Sequence, residues 1–66
     1  MSVISLEQQL ACAKRELALR QRVYPRFITQ NRMTATQAAH ELAAMTAIVT
    51  TINHLLHERE HVDASS

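Results

Sequence analysis

Glycine is missing altogether from this sequence. That removes the glycine-rich loop through which a backbone cradles phosphate, and it leaves any left-handed turn position to asparagine. Cysteine occurs once, at Cys12, so no intrachain disulfide can form, and a reducing, cytoplasmic setting is the expectation. There is no apolar run near the ~18 residues that a membrane-spanning helix needs. The opening residues MSVISLEQQL lack the basic start and apolar stretch of a signal peptide, so none is expected. A chain of 66 residues makes one small domain, residues 1–66, and a core of this size contributes little beyond the cost of ordering the chain. Without a disulfide or a metal, a partner subunit is the remaining support.

The formal net charge is only +1, but it is unevenly spread. Lys14, Arg15, Arg20, Arg22, Arg26 and Arg32 share their stretch with Glu16 as the single acid, whereas Glu41, Glu58, Glu60 and Asp63 follow with Arg59 as the single arginine. Such a molecule has a basic end, and a charged partner is one consequence.

Two helical series run through the chain. Leu6, Leu10, Ala13, Leu17, Tyr24, Phe27 and Ile28 keep to one face at helical spacing, and Ser5 with Gln8 forms a capping box ahead of them. Helix one is placed at about residues 6–30. Ala38, Leu42, Met45, Val49, Ile52 and Leu56 form a cleaner stripe, widened by Ile48 and Leu55. It is preceded by a second capping box at Thr34 and Gln37, with Met33 and Ala38 at the staple positions. Helix two is placed at about 35–60, with residues 61–66 frayed. The short connection forces antiparallel neighbours, with Asn31 as the candidate left-handed residue. This register sets Tyr24 near Leu42, Leu17 near Val49 and Leu10 near Leu56.

Pro25 is the only proline. Inside a helix it removes a hydrogen bond and presses on the carbonyl four residues back, at a cost of about 3 kcal/mol. Because Phe27 and Ile28 continue the stripe, Pro25 reads as a kink within helix one; a break at Tyr24 is the rival reading.

The fold class is therefore all-α, an antiparallel two-helix hairpin. The apolar arc of helix two spans about 140° at 100° per residue, more than one neighbour covers. Helix one carries a second apolar strip, Cys12, Leu19 and Val23. Two hairpins packed as a four-helix bundle would bury both sets, so Leu6, Leu10, Leu17, Phe27, Leu42, Met45, Ile48, Val49, Ile52, Leu55 and Leu56 are assigned to the core and the homodimer seam.

The sequence HEREH, from His57 to His61, matches the H-E-x-x-H pattern of zinc peptidases, and His54 falls on the same side. It sits at a helix end, with no later ligand and no room for a substrate cleft. The simpler reading is a set of side chains that suit the negative end of the helix dipole. Cys12 has no histidine on its own face to activate it and reads as a small, buried or half-buried hydrophobe. No catalytic, cofactor or metal site is assigned, and an enzyme is not expected. Arg15, Arg22 and Arg26 project from the outer side of helix one. Arg20 interrupts the apolar stripe, its head directed to Glu41 or to solvent. Arg15, Leu19, Arg22, Val23, Tyr24 and Arg26 are the candidate partner-binding residues, Tyr24 serving as an aromatic anchor directed by the bend at Pro25; packing of Tyr24 in the core is the alternative. A nucleic-acid role through Arg15, Arg22, Arg26 and Arg32 is the competing functional reading, although the basic patch is sparse and no recognition-helix turn is visible.

Residues 16–52 carry E-L-x-x-R-x-x-V-Y-P-R from Glu16 to Arg26, then Met33-Thr34, then A-x-x-E at Ala38–Glu41 and M-x-A-I at Met45–Ile48. This segment resembles a family of short phage and prophage proteins, its most specific part being Val23-Tyr24-Pro25-Arg26 followed by Met33-Thr34. Family members often have glycine in the turn, where this chain has Gln30-Asn31. The chain is also similar in size and type to the helical-hairpin quorum-sensing anti-activators of Pseudomonas phages. These are dimers that bind a host LuxR-type transcriptional activator and a pilus-assembly ATPase. The resemblance implies a phage-encoded protein acting in the cytoplasm of the bacterial host by stoichiometric binding; from the residues themselves, no membrane association and no cofactor is expected.

Overall fold

The structure, a computed structural model, describes residues 3–65, and their side chains over 3–59. It contains α1 (Leu6–Thr29) and α2 (Ala35–Ser65), and no strand among the described residues. The two helices pack side by side as a hairpin. No described helix is long and apolar enough to cross a membrane.

Each helix begins as its sequence dictates. The Ser5 hydroxyl accepts from Gln8 N–H at 3.1 Å, and the Gln8 side chain accepts from Ser5 N–H at 2.9 Å. At α2 the same exchange joins Thr34 and Gln37, at 3.0 and 2.9 Å. Both boxes satisfy backbone donors that have no partner within the first helical turn. Met33 and Ala38, at the staple positions, are half-buried and buried.

α1 runs through Pro25 without a break, so the rival break at Tyr24 is discarded. The helix closes instead at Asn31, whose φ is 59°. Asn31 N–H donates to Ile28 O at 3.1 Å, and Arg32 N–H donates to Phe27 O at 2.9 Å. This pair of bonds is the Schellman closure, built on asparagine because the chain has no glycine to offer. A hydrophobic contact usually joins the two ends of that motif; here the Arg32 guanidinium lies over the Phe27 ring, 4.8 Å from its centroid.

α2 continues to Ser65, past the expected end near residue 60 and through most of the segment expected to fray. That segment contains neither glycine nor proline to stop it.

The core lies along the seam between the helices. Ala13, Tyr24, Ala38, Met45 and Leu56 are buried, flanked by the half-buried Leu6, Leu10, Leu17, Phe27, Leu42, Val49 and Ile52. Ile48 and Leu55, assigned to the core or dimer seam, are 48% and 44% exposed in the single chain. No large side chain among the described residues is fully buried. The molecule measures 53 × 26 × 16 Å, a slab one helix thick, whereas domains normally enclose a core between two packed layers.

Candidate interaction surface

At 100° per residue, Cys12, Leu19 and Val23 fall within about 40° of one another on α1, and Ile48 and Leu55 within about 20° on α2. An open groove of about 420 Å³ shows how these strips relate: Ile4, Cys12 and Ala13 line it from the α1 side and Met45, Ile48 and Ile52 from α2, with Gln8, Gln9 and Glu16 at its rim. Since Cys12 and Ile48 line one groove, the two strips face the same way out of the slab. Ile4, Leu19, Ile48 and Leu55 are 42–56% exposed, and together they form one broad apolar face. On the opposite face the same helices present Ala11, Ala18, Ala43 and Thr50, all exposed. No large exposed hydrophobic side chain of either helix lies there among the described residues.

Cys12 is exposed, contrary to the buried or half-buried position expected of it. Its place on the Leu19 strip turns it away from α2, so a single hairpin leaves it uncovered.

An ion cluster crosses the seam beside this face. Arg20 Nε donates to Glu16 Oε1 at 2.9 Å, and Arg20 Nη1 lies 3.9 Å from Glu41 Oε2. Glu41, the acid expected for Arg20, lies at ion-pair distance only, and the hydrogen-bonded partner is Glu16, which was not expected. The hydrogen bond to Glu16 is the main cause of a raised Arg20 pKa. At the open end of the hairpin, Arg59 pairs with Glu7. The Glu7 carboxyl lies below its ordinary pKa of 4.5, chiefly because it accepts from its own backbone N–H in the first turn of α1, and next because of Arg59.

The six candidate partner-binding residues separate into three places. Leu19 and Val23 belong to the apolar face, exposed and half-buried respectively. Arg15, Arg22 and Arg26 are exposed and lie within about 40° of one another on the side of α1 turned away from α2. Tyr24 is buried, only 8% exposed, and this corrects its assignment as a partner anchor. Its position repeats the phase of Leu6 and Leu17, so an unbroken helix carries it into the seam, where its ring lies 6.2 Å from that of Phe27. Arg32 is engaged with Phe27 and does not extend the arginine edge.

His54 pairs with Glu58 at 3.1 Å on an exposed face. The pairing of His57 with His61 depends on a side chain outside the described ones. Among the described residues no group of three potential ligands assembles.

Two features escaped the sequence reading. The Arg32–Phe27 stack had no signal beyond an arginine following an aromatic across a turn. The Glu7–Arg59 pair did have one: the register that sets Leu10 opposite Leu56 also sets Glu7 opposite Arg59. No protein-family model, curated protein or solved structure matches this chain.

Proposed function

We propose that this chain is a non-enzymatic, phage-encoded interaction protein. It acts in the bacterial cytoplasm as a homodimer of hairpins, a four-helix bundle, that binds and inhibits a host regulatory protein. Its target class is a LuxR-type transcriptional activator, a pilus-assembly ATPase, or both. The observation that carries the reading is the one-sided exposure of Leu19, Ile48 and Leu55 on a chain whose described side chains hold no candidate ligand cluster. Contiguous apolar patches of this kind mark interaction sites. The V-Y-P-R…M-T resemblance supports the phage origin, the likeness in size and helical-hairpin type to the quorum-sensing anti-activators suggests the target class, and the arginine edge offers a charged docking contact.

The test is a titration of the purified protein into a LuxR-type activator bound to its promoter DNA. Release of the activator at a fixed stoichiometry, with the protein itself not retained on DNA, is the expected result. Binding of the protein to the DNA alone, falling steeply with added salt as counterion release requires, would instead establish the nucleic-acid reading.

A further inference from the structure

We infer that the broad apolar face is the seat of a second copy of this chain, and that the Arg15–Arg22–Arg26 edge is thereby left to meet the host protein. The inference rests on the homodimer reading and assigns its interface, so that self-association and host binding use adjoining surfaces, Arg26 lying about 20° from Leu19 around α1.

The area argument comes first. A compact folded monomer of 7.5 kDa exposes about 4,250 Å² by the usual scaling with mass, whereas this chain exposes 5230 Å². The surplus is about 1,000 Å² per chain, an upper bound on what pairing could bury, and a stable interface buries about 600–1,000 Å² on each partner. Part of the surplus belongs to the end of α2, which at 31 residues outruns the 24 of α1. Among the described residues, the large aliphatic side chains that the two helices leave exposed, Leu19, Ile48 and Leu55, lie on one face. The thickness of the molecule leads to the same place: at 16 Å it is a single layer of helix. Stacking a second slab on the first supplies the missing layer.

Composition separates the two surfaces. Leu19, Ile48, Ile52 and Leu55 are aliphatic, like a domain core cut in half, which is the character of obligate homodimer interfaces. A two-fold pairing needs a self-complementary patch, and the centre of this face, with Glu16, Arg20 and Glu41 only at its margin, can meet its own copy without placing like charges together. The arginine edge cannot do so: matched to itself it would oppose three cations with three. Arg15, Arg22 and Arg26 suit an acidic surface on another protein, where arginine is enriched among residues that dominate binding.

The experiment uses the full chain. Sedimentation equilibrium is expected to give twice the 7.5 kDa chain mass. Ile48→Glu and Leu55→Glu are each expected to weaken self-association by at least about thirtyfold, the effect of losing a central interface residue. Ala43→Glu, on the opposite face, leaves the mass unchanged. Cys12 provides a readout that needs no variant: exposed in the single hairpin, it is covered in the proposed dimer. Its reaction with a disulfide reagent is therefore slow at high protein concentration and accelerates on dilution. This decides the matter even if Ile48→Glu fails to fold. A dimer in which Cys12 reacts as fast as an unhindered thiol, or in which folded Ile48→Glu stays paired, overturns the assignment of the face and leaves the homodimer reading standing. A folded monomer, or an assembly larger than two, overturns both.

Discussion

The two broad faces of the hairpin are made by the same helices and differ almost entirely in side-chain size. One presents Leu19, Ile48 and Leu55, each more than 40% exposed; the other presents Ala11, Ala18, Ala43 and Thr50. Alanine serves helix propensity and gives little apolar area to be hidden, so the alanine face is content in water. A leucine or isoleucine left this exposed still has nearly half of its transfer free energy to gain. The seam in between is thin, since no large described side chain is fully buried. A hairpin whose core is meagre and whose exposed large aliphatic side chains lie on one side would gain stability from whatever covered that side.

The comparison is broken most severely from beneath. Tyr24→Ala removes the one aromatic buried in the seam that both faces share. It is expected to cost about 3–5 kcal/mol, enough to unfold a domain of this size, as urea denaturation followed by circular dichroism would record. Leu19→Lys and Ala18→Lys then set the two faces against each other at adjoining positions. At Leu19, assembly is expected to lose about 2 kcal/mol or more, whereas at Ala18 the change stays within about 0.5 kcal/mol, read from dilution series of both variants.

The turn that brings both apolar strips onto one face is the next place to press. Asn31 has a φ of 59°, so Asn31→Val is expected to destabilise by about 1–2 kcal/mol. Thr34→Ala, which removes the cap of α2, is expected to cost about 1 kcal/mol. Both are read from denaturation midpoints.

The smallest effect belongs to the open end. The Glu7 carboxyl has a lowered pKa in the folded chain, so its contribution to stability is present above its ordinary value of 4.5 and is lost as pH falls through the lowered value. Wild type and Glu7→Gln are expected to differ slightly in melting temperature near neutral pH and to converge in acid. A gap that persists in acid would mean that the carboxylate charge is not its source.

Much of the fold was legible because it is local. Ser5 with Gln8 and Thr34 with Gln37 each satisfy backbone donors within one turn, so four residues suffice to read each start. Asn31 was legible by elimination, there being no glycine. Arg20 was directed to Glu41 because an arginine inside an apolar stripe has to reach past the seam. The end of α2 was misplaced because the residues after 60 contain no stop signal, and fraying was expected from position alone. Tyr24 was misassigned because the bend expected at Pro25 was expected to turn its ring outward; an unbroken α1 keeps residue 24 in the phase of residues 6 and 17. Cys12 is uncovered in the single chain because its strip lies off the seam, a phase legible in the sequence; burial at that position would need a second hairpin.

The sequence by itself determined two capped helices, the asparagine-closed turn between them and the apolar phase of each, because propensity, capping and periodicity act within a few residues. Only the tertiary structure decided that the strip of Cys12, Leu19 and Val23 and the strip of Ile48 and Leu55 open onto the same face. That depends on the rotation of each helix about its own axis when the seam closes, which is set by packing between residues far apart in the chain.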